Sequence, residues 1–81
     1  MKVVEHKIEV PPQNLASDKY FHSMFRMLKL EQSDTLEEVR TLLQSFKKHH
    51  KVILTVSLEH RGRTYQFRDG HVERSYKTSK A

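Results

Sequence analysis

Fifteen lysines and arginines, six histidines and three tyrosines are the residues of this chain best suited to chemistry. They are not spread evenly. The stretch HRGRTYQFRDGHVERSYK, residues 60–77, holds four arginines, two of the three tyrosines and both glycines. Guanidinium groups bind phosphate oxygens in bidentate fashion, and a tyrosine beside them can stack on a base or donate a hydrogen bond. Phosphate contact is the chemistry this combination serves best.

The charge balance points the same way. Residues 1–46 carry six Lys/Arg against seven Asp/Glu, a net of 6 − 7 = −1; residues 47–81 carry nine against three, a net of 9 − 3 = +6. A basic C-terminal half implies an acidic partner, nucleic acid being the commonest. Solubility alone accounts for a total of this size, since small domains carry a net charge of roughly 2–8 in magnitude.

Other chemistries find little support. With no cysteine there is no disulfide, thiolate metal site or cysteine nucleophile. GxxxxGK[ST] and GxGxxG are absent, so no nucleotide loop is expected. The histidines show neither HExxH nor H-x3-H spacing. His6 is expected on the inner side of a strand, His22 on the exposed side of a helix, and His49 and His50 at a helix end. Zinc needs three or four converging ligands, so neither a metal nor a cofactor is expected. No run of eighteen apolar residues and no leader-like start occurs, which makes a cytoplasmic protein without membrane contact the default.

The elements that must position the basic stretch follow from periodicity. Residues 2–10 alternate, with Val4, His6, Ile8 and Val10 inward, until Pro11 and Pro12 end the strand. Cap residues lie within Asn14 to Ser17. A helical stripe of Tyr20, Phe21, Met24, Phe25, Met27 and Leu28 follows, ending near Leu30. Asp34-Thr-Leu-Glu37 reads as a capping box for a second helix, with Leu36, Val39, Leu42, Leu43 and Phe46 as its apolar face. Lys47 and Lys48 suit its C-terminal end. Val52, Leu54, Val56 and Leu58 then form a strand's inner face. A turn at Arg61-Gly62 sets Leu58 opposite Tyr65 and Val56 opposite Phe67; a turn at Asp69-Gly70 sets Phe67 opposite Val72. The expected fold is α+β: one domain over 1–81, in the order β-α-α-β-β-β, two helices packed on one face of an antiparallel sheet. About 78–81 is expected to fray.

Continued without interruption, these registers place Tyr76 opposite Arg63 and Arg74 opposite Tyr65. His60, Arg61, Arg63, Arg74, Tyr76 and Lys77 then gather at one end of the sheet as the primary candidate site. Lys47, Lys48 and Lys51 form a secondary one at the other end, beside Arg68 and His71. The outer face is expected to carry Thr55, Ser57, Thr64, Gln66, Glu73 and Ser75, without the exposed aromatics of RNA-stacking sheets. A second helix read as a recognition helix would bring Glu37 and Glu38 against phosphates, which opposes a helix-turn-helix reading.

The functional expectation is sequence-tolerant, phosphate-directed nucleic-acid binding, RNA slightly ahead of DNA, more as a binder than as an enzyme. The alternative is a protein-interaction, inhibitor or adaptor module working by strand addition at 2–10 or 71–76, with an exposed apolar patch at Ile53, Val3 or Leu30. A third reading rests on the loose Tyr65…Arg68…Tyr76 spacing and on element order and basic size, which resemble the RelE/ParE group of bacterial toxins. That resemblance implies RNA cleavage by His, Tyr and Arg side chains, with His60, Arg61, Arg63, Arg74 and Tyr76 within reach. Nothing in the sequence fixes an oligomeric state.

Overall fold

The computed structural model describes residues 1–13 and 17–78. Along the chain lie β1 (Lys2–Glu9), α1 (Asp18–Arg26), a 3-10 turn (Leu30–Gln32), α2 (Leu36–His50), β2 (Ile53–His60), β3 (Arg63–Arg68) and β4 (His71–Lys77). The strands form one antiparallel sheet in the order β1-β2-β3-β4. The helices pack on one of its faces, so the chain is the α+β domain that its periodicity predicts.

β2 is the spine. It pairs on both sides, and Leu54, Val56 and Leu58, with Val52 just before it, are each at most 1% exposed. Against them pack Phe21 and Phe25 of α1, Val39, Leu43 and Phe46 of α2, Leu30 of the 3-10 turn and Phe67 of β3. Each such side chain contributes about 1.5–3 kcal/mol on burial, enough to hold two short helices that could not persist alone. The helices cover the β1–β2 half of the sheet; every residue of β4 is exposed.

Both helix starts are side-chain capped. Ser17 Oγ accepts from Tyr20 N at 3.3 Å; of the other cap positions considered, 14–16 lie outside the described residues. The cap of α2 is Thr35, one residue later than expected. Its Oγ1 accepts from Glu38 N at 3.2 Å, while Glu38 Oε2 accepts from Asp34 N at 3.4 Å. The sequence spells the box twice, Asp34…Glu37 and Thr35…Glu38. Glu37 instead pairs with Arg40 at 2.7 Å along the helix.

α1 stops at Arg26, short of its apolar stripe. Met27, expected in the core, is 70% exposed, and Tyr20 is 46% exposed. Lys29 takes the left-handed conformation (φ 52°), which redirects the chain and turns Leu30 inward. Leu30 is therefore core and offers no docking patch. Lys51 ends α2 in the same conformation (φ 52°), its N–H donating to Lys47 O at 2.9 Å.

Register decides which face each strand residue occupies. The Arg61-Gly62 pairing is as expected, with Leu58 opposite Tyr65 and Val56 opposite Phe67. The Asp69-Gly70 pairing holds for Arg68–His71 and Phe67–Val72 only. Two bulges depart from simple alternation. In β1 the ladder shifts between Val3 and Glu5, so Val3 faces the core opposite Leu58, and Val4, expected inside, is 55% exposed. In β4 it shifts at Glu73, after which Gln66 pairs with Arg74, Tyr65 with Ser75, Thr64 with Tyr76 and Arg63 with Lys77. One inserted residue moves everything beyond it to the opposite face.

Candidate functional site

The Glu73 bulge divides the primary candidate residues between two faces. On the helix side lies a row of His60, Arg63 and Lys77 across β2, β3 and β4. Arg61 stands at the turn beside it, and Arg63 Nη2 donates to Ser75 Oγ at 3.4 Å. On the open face lie Arg74, in a row with Ser57 and Gln66, and Tyr76, in a row with Glu59 and Thr64. The Arg74 guanidinium carbon sits 5.9 Å from the Tyr76 ring centroid, a cation–π distance. Tyr76 is thus neither opposite Arg63 nor on its face, and Arg74 is not opposite Tyr65.

This corrects the expected open face. Ser75 turns to the helix side, and Arg74 and Tyr76 take the outer positions, giving that face one aromatic residue, 49% exposed, with a guanidinium beside it. The Tyr65…Arg68…Tyr76 spacing is not assembled: Tyr65 lies in the row of Leu58 on the core side, whereas Arg68 and Tyr76 are outside.

Ion pairing sets Lys47 and Arg68 apart from the other candidate cations, Lys48 and Lys51 included. Among the described residues, no carboxylate comes within ion-pair distance of Arg61, Arg63, Arg74 or Lys77. At the other end Lys47 Nζ is 3.5 Å from Asp69 Oδ2, and Arg68 Nη1 is 3.8 Å from Glu73 Oε1. Lys48 and Lys51 are exposed at the end of α2. Asp69 is itself structural, since its Oδ1 accepts from Leu54 N at 3.1 Å and its N–H donates to Leu54 O at 2.9 Å.

Both turns place a non-glycine residue and then glycine at positive φ: Arg61 at 52° and Gly62 at 79°, Asp69 at 52° and Gly70 at 85°. Asp tolerates that region through its short polar side chain; arginine has no such compensation. The tail beyond β4 is tied to the first turn, where Thr78 N donates to Gly62 O at 2.9 Å and Thr78 Oγ1 meets Thr64 Oγ1 at 2.8 Å. Of the expected tail, Thr78 makes these two hydrogen bonds, and 79–81 lie outside the described residues.

A second cluster escaped sequence reasoning. His6 and His22, sixteen positions apart and expected on unrelated surfaces, meet at 2.9 Å between Nε2 and Nδ1. The His6 ring stacks on Phe25 with centroids 4.3 Å apart. Partial burial holds the His6 pKa below its ordinary 6.5, with His22 and Arg26 lowering it further. Beside the pair, along the free edge of β1, lies a groove of about 500 Å³. Among the described residues no group of three His, Cys, Asp or Glu lies together that could hold a metal ion. No described helix is long and apolar enough to cross a membrane.

No family model, curated protein or solved structure matches this chain.

Proposed function

We propose that the chain is a sequence-tolerant nucleic-acid-binding protein that takes a single strand, RNA ahead of DNA, at the end of the sheet where the Arg61-Gly62 turn joins β2 to β3. The observation that carries this reading is the set of unpaired cations there. Among the described residues Arg61, Arg63, Arg74 and Lys77 have no carboxylate partner, whereas Lys47 and Arg68 have one. A cation already paired gains less from a phosphate, because its carboxylate must first be displaced. In this reading Arg61, Arg63, Lys77 and His60 contact the backbone phosphates, and Tyr76 with Arg74 supplies a stacking surface for a base. Lys48 and Lys51 are left as peripheral contacts.

Arg61 adds support. A non-glycine residue at positive φ costs about 1–2 kcal/mol, and the asparagine that a turn of this type prefers would lower that cost. Keeping a guanidinium at the tip is consistent with a use for it. Binding of fluorescent single-stranded RNA across a salt series tests the proposal: wild type should bind with a steep log–log salt slope. Arg61→Ala/Arg63→Ala/Lys77→Ala should flatten the slope by about 2. Tyr76→Ala should weaken binding at every salt concentration without changing the slope.

A second reading is favoured by β4 itself. It is an edge strand exposed along its whole length, with Val72 49% exposed on the helix side. Strand addition there would make the chain a protein-interaction module. Its signature is partner binding insensitive to salt and abolished by Val72→Lys, a substitution the first reading tolerates.

A further inference from the structure

The bulge at Glu73 leaves the cations of one sheet end on opposite faces. Arg63 and Lys77 lie on the helix side, whereas Arg74 and Tyr76 lie on the open face. Lys77 and Tyr76 are sequence neighbours that point apart, and Arg74 stands about 10 Å further along β4 at roughly 3.3 Å per residue. Among the described residues none of these three cations has a carboxylate partner, and Glu73 itself reaches Arg68 at 3.8 Å.

A ligand that meets both sets passes over the end of the sheet or round the free edge of β4. The end is taken by the chain itself, where Thr78 N donates to Gly62 O at 2.9 Å and Thr78 Oγ1 meets Thr64 Oγ1 at 2.8 Å. The edge is open. β4 is the last strand of the sheet and every residue of it is exposed, so its outward backbone N–H groups are donors for phosphate oxygens. Charge opposes the remaining path, inward across the open face. Tyr76 is followed in its row by Thr64 and then Glu59, which Lys2 stands opposite; Arg74 is followed by Gln66, Ser57 and then Glu5. The unpartnered cations of this face sit at its β4 margin, and these carboxylates lie toward β1.

Resting on the reading of this end as a nucleic-acid site, we propose that one single strand bends round the β4 edge and engages both faces at once. Arg63 and Lys77 hold phosphates on the helix side. Beyond the edge, Tyr76 stacks a base and Arg74 takes a neighbouring phosphate. Rejection of duplexes follows from the same arrangement. A sheet with its side chains is on the order of 10 Å thick. A double helix stays nearly straight over about 50 nm, so it lies against one face only. Its bases are also stacked on one another and out of reach of Tyr76, whereas a single strand turns freely and offers unstacked bases. The bulge is thus the specificity-determining feature of the site.

The test is binding of octauridylate and of a blunt RNA duplex of the same length, across a salt series, to wild type, Lys77→Ala, Arg74→Ala and Tyr76→Ala. With octauridylate each cation variant should flatten the log–log slope by about 0.7, and Tyr76→Ala should weaken binding at least about fivefold. The duplex should bind wild type at least about fivefold more weakly, lose slope in no more than one cation variant and ignore Tyr76→Ala. Should a variant fail to fold, amide NMR shifts of the wild type decide: octauridylate should move residues 61–63 and 71–77 and leave 2–9 in place. A duplex bound as tightly as the single strand, slope loss with octauridylate in only one cation variant, or shifts spreading to 2–9 overturns the bent path while leaving a nucleic-acid site at this end. Binding of neither probe overturns the inference together with the reading beneath it.

Discussion

The two β-turns of this sheet share one backbone and differ in almost everything attached to it. Each is a residue at φ 52° followed by glycine. At Asp69-Gly70 the turn is fastened to the body: Asp69 bonds both ways to Leu54 and pairs with Lys47, and Gln44 Nε2 donates to Gly70 O at 3.2 Å. At Arg61-Gly62 the turn is exposed, and a side chain added at Gly62 would meet nothing within 4 Å. One turn has its polar groups consumed by folding. The other leaves a guanidinium in solvent, with Arg63 and Lys77 behind it. The difference shows how one local geometry serves stability at one end of a sheet and leaves the other end available for a partner.

The sharpest way to break this comparison is to substitute the glycines. A Cβ at Gly70 would run into Gln44 Cγ and lie 2.9 Å from the Gln44 backbone nitrogen, at φ 85°. Gly70→Ala should cost about 3 kcal/mol, and Gly62→Ala only about 1 kcal/mol, for backbone strain alone. Urea denaturation reads both; equal losses would remove the distinction. Next in size is Asp69→Ala, which strips the Leu54 N–H of its acceptor and Lys47 of its partner and should cost about 2 kcal/mol. Arg61→Asn should have the opposite sign at the other turn, a gain of about 0.5–1 kcal/mol as the left-handed residue is better tolerated, together with weaker RNA binding. A variant both more stable and equally tight would separate Arg61 from the proposed function.

A smaller effect belongs to neither turn. Because the fold holds the His6 pKa below 6.5, the unfolded chain binds this proton first. Stability contributed by neutral His6 is present above about pH 6.5 and is lost as pH falls through the lower folded value. Denaturation midpoints measured from pH 8 to pH 5 should therefore decline, and His6→Phe should flatten the decline.

Much of this fold is legible in the sequence because several local signals agree. The β2 alternation, the apolar face of α2 and the Arg61-Gly62 turn each specify one answer, and the β2–β3 register follows. The bulges are not legible. The extra residue in β1 is Val4, next to Val3, and either valine would serve equally well inside; nothing marks Glu73 as unpaired until the ladder is seen. That one residue decides whether Arg74 and Tyr76 share a face with Arg63, so the candidate cations were identifiable by type and their arrangement was not. The duplicated capping box moved a helix start in the same way. His6 and His22 carry no motif at all; they meet because α1 packs over β1, a fact of tertiary packing alone.

The most direct test of the central claim compares the two ends in one experiment. Fluorescence anisotropy with single-stranded RNA across a salt series should be run on wild type, Arg61→Ala/Arg63→Ala/Lys77→Ala and Lys48→Ala/Lys51→Ala. Salt-sensitive binding whose log–log slope flattens by about 2 in the first variant, and changes by less than about 0.7 in the second, is the predicted result. Binding unaffected by the first variant, lost equally in both, or absent in the wild type would contradict the account.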